Sequence, residues 1–305
     1  MLKYVIKRIF LGLAALFIVS ILTFFLMFLV PGGPFLSEKA PSAKTLAALE
    51  AKYGLDKPVI VQYRNYMANA LRGDFGPSMK QRGRYVNDII SSRFPISARL
   101  GGLALAAALL LGVPLGCVAA IRRGKAVDNV ILVISTVGIA LPSFITSVLL
   151  MYIFSLKLGW LPTFGLDSPK NYIMPVTALS FFPAAYIARM MRSSMLDVLG
   201  QDYMRTALAK GLPWAARIFK HALRNAIGPI ITFMGPELAF ILTGSFVVES
   251  IFTIPGLGSN FVSSITNRDY TMIMGTTLFL AALLIGFNIV SDVLNKILDQ
   301  RIQLK

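Results

Sequence analysis

Long apolar runs constrain this chain more than any other feature. A helix needs about 20 predominantly apolar residues to cross the hydrocarbon core of a bilayer. Six runs of about this length occur, at residues 9–30, 98–121, 130–156, 172–191, 226–248 and 272–297. Pro175 and Pro183 interrupt the fourth run, which a membrane helix tolerates when neighbouring groups satisfy the freed carbonyls. The sequence therefore predicts an all-α integral membrane protein with six transmembrane helices.

The composition supports a membrane location and excludes other classes of protein. Of the 305 residues, 56% are hydrophobic and 14% are charged, whereas soluble domains are about 25% charged. The net charge of +16 would also suit a nucleic-acid-binding protein, but basic residues that flank membrane spans explain it more simply. We therefore expect no nucleic-acid partner. The one cysteine, Cys117, excludes a disulfide framework and a cysteine-based metal cluster, so no metal site is predicted.

Lysine and arginine in the short loops predict the orientation of the spans. They are concentrated at the N-terminus, after the second and fourth runs and in the tail, whereas the opposite short loops contain only Lys157, Lys170 and Arg268. Both termini are therefore predicted to be cytoplasmic. The first run follows a basic segment, as in a signal peptide, but it is long and ends in PGGPF without a small-residue cleavage site. Residues 1–30 are thus interpreted as a retained span, with the loop at 31–97 outside.

The outer loop contains two predicted amphipathic helices. In PSAKTLAALEAKYG, Ser42 and Gly54 are suited to begin and end a helix. In KPVIVQYRNYMANALRG, the spacing predicts one apolar face composed of Ile60, Tyr63, Met67, Ala70 and Leu71. These helices would either pack on the membrane domain or offer a docking surface to an external partner.

The most basic segment is RTALAKGLPWAARIFKHALRNAIGP, residues 205–229. Gly211 is placed to end a short helix in the left-handed conformation, and Pro213 is suited to begin a second helix. The predicted apolar face of the second helix consists of Trp214, Ala215, Ile218 and Ala222. Such a basic elbow suits the lipid head groups of the cytoplasmic face, and it suits a cytoplasmic protein partner equally well.

RTALAKG, followed nine residues later by HALRNAIGP, resembles the cytoplasmic loop signature of binding-protein-dependent ABC importer permeases. Gly211 matches the glycine of that signature and Ala207 its second alanine. Arg205 stands where many relatives have glutamate, and Thr206 where they have alanine. The starting segment MLKYVIKRIF, the loop RGDFGPSMKQRGRYVNDIISSRFPISARLG and the block ESIFTIPGLGSNFVSSITNRDY extend the resemblance over nearly the whole chain. They are similar to the B-type subunit of the oligopeptide branch.

This resemblance implies a type I ABC importer permease fold in the bacterial inner membrane, with a five-span permease domain at 94–297 and a cytoplasmic tail at 298–305. The loop at 192–225 would couple to an ATPase through Arg205, Thr206, Ala207, Lys210, Gly211, Leu212 and Pro213. The implied partners are a second, C-type permease, two cytoplasmic ATPases, an external peptide-binding protein and the peptide itself. ATP and Mg²⁺ would bind the ATPases, because this chain has no G-x-x-x-x-G-K-[ST] loop. Dipeptide, glutathione and nickel importers are alternatives within the family.

Several further residues are candidates for the transport path. Glu237 lies within the fifth apolar run; intramembrane acids usually face a cavity or the protein interior, so it would either line the peptide path or hydrogen-bond to neighbouring helices. The resemblance places Glu249, Pro255, Gly256 and Gly258 in an outer gate loop, where proline and glycine would form a turn. An ion-coupled secondary transporter is less well supported, since no second acid pairs with Glu237. A hydrolase would need motifs that are absent from the sequence.

Overall fold

The computed structural model describes residues 2–29, 32–35, 42–242 and 246–298. Over these ranges the backbone forms helices and no strand, apart from an isolated bridge between Pro77 and Tyr85. The helices are α1 (Leu2–Leu29), α2 (Ala43–Tyr53), α3 (Val59–Ala70), α4 (Val86–Ile121), α5 (Ala126–Ala140), α6 (Ser143–Leu150), α7 (Pro169–Leu199), α8 (Asp202–Ala209), α9 (Leu223–Ala226), α10 (Gly228–Leu242), α11 (Phe246–Ile251), α12 (Leu257–Asn267) and α13 (Tyr270–Leu298). Two π-helical segments, Met151–Lys157 and Ala216–Ala222, follow α6 and precede α9.

The predicted all-helical membrane fold is confirmed. Among the residues that the structure describes, four helices are long and apolar enough to cross a membrane: α1, α4, α7 and α13. The number becomes five if α5 and the bent continuation formed by α6 and its π-helical segment are one broken span. The apolar run at 226–248 forms the shorter helix α10 and, after residues outside the described ranges, the start of α11. The count of six spans and the side on which the termini lie therefore stay predictions.

A proline separates α5 from α6, whereas α7 continues through two prolines. The axis turns by 107° between α5 and the helix that follows it. Pro142 disfavours the helical conformation of the residue before it, and Leu141 accordingly has extended angles, φ −85° and ψ 119°. Helix α7 instead contains Pro175 and Pro183 without interruption. Its start is well defined, because Ser168 and Asn171 form a reciprocal capping box.

The chain divides into two compact units. The first consists of residues 1–97 and 255–285, and the second consists of residues 98–254 and 286–305. In the first unit, α3 packs on α1 and on the beginning of α13 through an apolar cluster that includes Phe24 and Tyr63, whose ring centroids are 5.2 Å apart. The outer-loop helices are therefore part of the packed structure of this unit.

The predicted helix ends in the outer loop are confirmed, whereas only part of the predicted apolar face on α3 is buried. The Ser42 hydroxyl accepts a hydrogen bond from the amide of Thr45, and Gly54 ends α2 with φ +68°. On α3, however, the side chains of Ile60 and Leu71 are 74% and 84% exposed. The helix is rotated so that Val59 and Tyr66 join Tyr63, Met67 and Ala70 in the cluster.

In the second unit, glycines let α7 approach two other helices closely. A Cβ atom on Gly112 of α4 would lie 2.7 Å from the carbonyl oxygen of Ala184, and one on Gly116 would lie 2.5 Å from that of Ala188. On α5, a Cβ atom on Gly138 would lie 2.7 Å from the Cβ of Ala185. Small residues at such contacts are typical of membrane helix pairs. They position α7, whose C-terminal end leads into the basic segment.

Candidate coupling site

Most of the basic segment, together with the first turn of α8, forms an elbow. The elbow is defined here as residues 202–226, and Gly211 lies at its bend. Helix α8 ends in a Schellman motif: the Gly211 amide donates to the Leu208 carbonyl at 2.9 Å, and the Leu212 amide donates to that of Ala207 at 3.2 Å. Gly211 has φ +72°, so its predicted left-handed conformation is confirmed. A Cβ atom there would meet nothing within 4 Å. The requirement for glycine is therefore one of backbone conformation, not of space.

The second arm of the elbow begins at Trp214. The amide of Arg217 donates to the Pro213 carbonyl at 3.1 Å, which places Pro213 just before the helix. Ile218, Ala222 and Ala226 are buried in an apolar cluster, together with Met195 and Met204 from the preceding helices. This cluster holds the arm against the end of α7.

The predicted apolar face of this arm is buried only in part. Ile218 and Ala222 are buried, whereas Trp214 and Ala215 are exposed. The apolar cluster continues from Ile218 toward the C-terminal end of the arm and does not include its first turn. The Trp214 ring instead contacts that of Phe219 at 6.5 Å between centroids, and both side chains lie on the surface.

The seven residues predicted to couple to an ATPase lie at the bend and on the helix before it, and most of them are exposed. Arg205, Thr206, Lys210, Gly211 and Pro213 are exposed. Leu212 is half-buried, and Ala207 is buried in the core of the unit. The guanidinium of Arg205 lies 3.5 Å from the carboxylate of Asp202, but the two side chains are 79% and 95% exposed. Such a pair contributes little to the conformation of the elbow.

Four large apolar side chains on the elbow are exposed: Tyr203, Leu208, Trp214 and Phe219. Tyr203, Leu208 and Phe219 were not among the residues singled out from the sequence, whereas Trp214 was assigned to the apolar face of the second helix. The sequence feature that could have revealed these residues is the presence of large apolar side chains on both sides of a glycine–proline bend. Together with the basic side chains, they form a surface suited to a protein or to a lipid interface.

Glu237 lies in α10, directly after Pro236. It is half-buried and forms no hydrogen bond or ion pair with any residue within the described ranges. Hydrogen bonding to neighbouring helices, one of the two interpretations of this residue, is therefore not observed in that part of the chain. Its role in the peptide path stays a prediction.

The predicted outer gate residues do not form a single turn. Glu249 is fully buried within α11, in the second unit. In the first unit, Gly256 precedes α12 and Gly258 lies buried in its first turn. This block contains two positive φ angles, +52° at Thr253 and +57° at Arg268. Gly256 has φ −85° and ψ 178° directly before α12, and the role of these residues in an outer gate stays a prediction.

Hydrogen bonds to Pro255 and to the buried Asp269 connect residues 255–270 to other parts of the first unit. The Pro255 carbonyl accepts a hydrogen bond from Arg93 at 3.0 Å. Asp269 is 2% exposed, and its carboxylate accepts from a set of donors: the Ser78 and Thr271 hydroxyls and the amides of Met79, Lys80 and Met272. An aspartate directly before an apolar run is a helix-start signal, but the link to Ser78 was not visible in the sequence.

Two family models together match most of the chain. Residues 112–304 match the family described as "Binding-protein-dependent transport system inner membrane component", and residues 1–101 match the N-terminal model "Binding-prot-dependent transport system membrane comp, N-term". The chain belongs to this family. It is a multi-pass membrane protein of the family, and both the elbow and Glu237 lie within the larger matched region.

Curated relatives are similar over their full length. The chain is 44% identical to the oligopeptide transport system permease protein OppB of Haemophilus influenzae, over 99% of this chain and 100% of the relative. It is also 44% identical to the dipeptide transport system permease protein DppB of Bacillus subtilis, over 100% and 99%. The OppB protein of Salmonella typhimurium is 41% identical over 99% and 100%.

Solved structures of two transporters share the fold. A crystal structure of an amino acid ABC transporter has a TM-score of 0.52 and 19% identity, covering 68% of this chain and 94% of the other. The MetNI methionine ABC transporter in an inward-facing form has a TM-score of 0.55 and 16% identity, covering 69% and 96%. The part of the chain that is covered therefore shares its fold with these two ABC transporters.

Proposed function

We propose that this chain is the membrane-spanning permease subunit of an ATP-driven oligopeptide importer in a bacterial inner membrane. The observation that carries the proposal is the full-length, 44% identity to a permease named for oligopeptide transport. In this proposal the chain forms half of the translocation path, and a second, C-type permease forms the other half. An external peptide-binding protein delivers the substrate.

The elbow is the proposed contact with the ATPases. Its bend is closed by backbone hydrogen bonds, so the side chains of Leu208, Lys210 and Trp214 are free to meet another protein. ATP and Mg²⁺ bind the two cytoplasmic ATPases in this scheme. Closure of the ATPases then displaces the elbow, and the attached helix α7 carries the displacement into the membrane domain, which shifts between inward-open and outward-open states.

Reconstitution tests the proposal directly. The chain is assembled with its partner permease and ATPases in vesicles, and uptake of a labelled pentapeptide is measured with and without ATP and the binding protein. We expect uptake that requires both and that persists after ion gradients are collapsed. Uptake that follows an ion gradient without ATP would establish a secondary transporter. Recovery of cleaved peptide instead of intact peptide would indicate a hydrolase.

Dipeptide import is the second candidate, because the similarity to a permease named for dipeptide transport is equally high. The same vesicles distinguish the two when labelled dipeptides and pentapeptides compete at equal concentration. Preference for the pentapeptide supports the oligopeptide assignment. Preference for the dipeptide with the cognate binding protein assigns the chain to the dipeptide branch.

A further inference from the structure

A buried ion pair lies outside the elbow, in the second unit. Asp128 is in the first turn of α5, directly after the basic loop at 122–125, and Arg192 is in the last part of α7. Arg192 Nε donates to Asp128 Oδ1 at 2.5 Å, and Nη2 donates to Oδ2 at 2.7 Å. A planar guanidinium makes such a two-bond contact, whereas an ammonium group does not.

The same carboxylate also holds the loop that precedes α5. The Gly124 amide donates to Asp128 Oδ2 at 2.9 Å, and Gly124 has φ +75°. The side chain of Asp128 is 1% exposed and that of Arg192 is 22% exposed. Because the carboxylate is buried, it depends on these donors. The ion pair therefore ties α7, α5 and the loop at 122–125 together at one point.

The position of Arg192 on α7 links this point to the elbow. Its neighbours Met191 and Met195 are buried in the cluster that contains Met204 and Ile218 of the elbow. The Ser194 hydroxyl donates to the Ala226 carbonyl, at the end of the elbow, at 2.7 Å. Within five successive residues, α7 thus contacts the elbow on one side and α5 on the other.

We propose that the Asp128–Arg192 pair makes α5 follow α7 when the elbow moves, so that the displacement reaches the bent helix pair that α5 begins. The proposal rests on the proposed function of the elbow. Sliding of α7 along α5 would lengthen both hydrogen bonds of the two-bond contact at once and leave the buried carboxylate without its Arg192 partner. Asp128 and Arg192 are positioning residues that act through the helices they join, and they do not touch the substrate.

The test uses the reconstituted complex and measures the number of ATP molecules hydrolysed per peptide imported. Asp128→Asn keeps the shape of the side chain and removes the charge, and Arg192→Gln removes the partner. We expect each variant to raise that ratio by about tenfold, with the double variant no worse than either single one, because both remove one interaction. Arg122→Gln removes an exposed charge from the same loop and should leave the ratio unchanged.

A purely stabilising role gives a different result. If the variants lower the thermal midpoint of the complex while the ratio stays at the wild-type value, the proposal is overturned. Independent, additive effects of the two substitutions on the ratio overturn it as well. If Asp128→Asn does not assemble, Arg192→Lys decides the question, because it keeps the charge and loses the two-bond geometry. A raised ratio in that variant supports the proposal, and an unchanged ratio refutes it.

A distance measurement separates this proposal from the importer function itself. Cys117, the one cysteine, is replaced by serine, and spin labels are attached at the exposed positions 125 and 197. In the protein that keeps the Asp128–Arg192 pair, we expect the distance between the two labels to be the same in nucleotide-free and ATP-bound complexes. In the Asp128→Asn variant, we expect this distance to differ between the two states. If the label distance responds to ATP in the same way in both proteins, the proposal that the ion pair makes α5 follow α7 is refuted. Failure of wild-type peptide uptake, by contrast, would refute only the function.

Discussion

The elbow and the Asp269 region close their turns in opposite ways. At Gly211 the chain bends through backbone hydrogen bonds alone, and most of the neighbouring side chains remain on the surface. At Asp269 a buried carboxylate gathers hydroxyl and amide donors from Ser78 to Lys80 and from the start of α13. The first arrangement leaves side chains free for another protein, whereas the second uses them to hold its own unit together.

This difference predicts two classes of mutational effect. Substitutions at the Asp269 region should reduce stability, because they leave buried donors without an acceptor. Substitutions on the elbow should reduce coupling and leave the fold intact, because exposed residues contribute little to stability. The following predictions run from the largest expected change in stability to the smallest.

Asp269→Ala should be the most destabilising change. Hydrogen bonds to a charged group contribute about 1.5–3 kcal/mol each, and the substitution removes several at once, so we expect a loss of about 3 kcal/mol or more. The measurement is the thermal midpoint of the purified protein in detergent. Asp56→Ala, at an exposed position of the same unit, serves as the control. Equal midpoints for the two variants would show that the carboxylate does not hold the segment at 78–80.

Gly211→Val should have an intermediate effect on stability and a large effect on transport. A left-handed conformation costs a non-glycine residue about 1–2 kcal/mol, and a β-branched residue is especially unsuited to it. Peptide-stimulated ATP hydrolysis and uptake are measured together in vesicles, and we expect uptake to be lost while the complex still assembles. Gly211→Asn, which tolerates positive φ, should retain most activity. Wild-type coupling in the valine variant would contradict the role of the bend.

Trp214→Ser should change stability by no more than about 0.5 kcal/mol, because the ring is 52% exposed. Binding of the ATPases, measured by co-purification and titration, should nevertheless weaken by about tenfold or more, as for an aromatic residue at the centre of an interface. Trp160→Ser is the matched control, since that ring is 65% exposed and lies outside the elbow. Equal binding by both variants would remove Trp214 from the contact surface.

Arg205→Gln should have the smallest effect on stability. Its pair with Asp202 is exposed at 3.5 Å, and such surface pairs contribute little. We expect an unchanged thermal midpoint and a reduced salt dependence of ATPase association, because a charge at the rim of an interface acts mainly on the rate of encounter. Asp202→Asn is the control for the pair itself. If both variants lower the midpoint equally, the pair has a structural role.

Sequence patterns predicted the structure correctly where it is determined by contacts between residues that are close in the chain. Ser42, Gly54 and Gly211 were correctly assigned to helix ends because capping depends on residues within one turn. The apolar faces were less informative: Leu71 and Trp214 were assigned to such faces, and both are exposed. Which face of a short helix is covered depends on the neighbouring elements, and periodicity alone does not specify these.

The sequence by itself determined the membrane class, the elbow with its glycine bend and the resemblance to importer permeases, because apolar length, capping residues and motif spacing are properties of consecutive residues. The tertiary structure alone decided the pairing of Asp128 with Arg192 and of Asp269 with Ser78, as well as the exposure of Trp214. Asp128 and Arg192 are 64 positions apart in the chain, and Asp269 and Ser78 are 191 apart. Such contacts arise from helix packing, which no local pattern encodes.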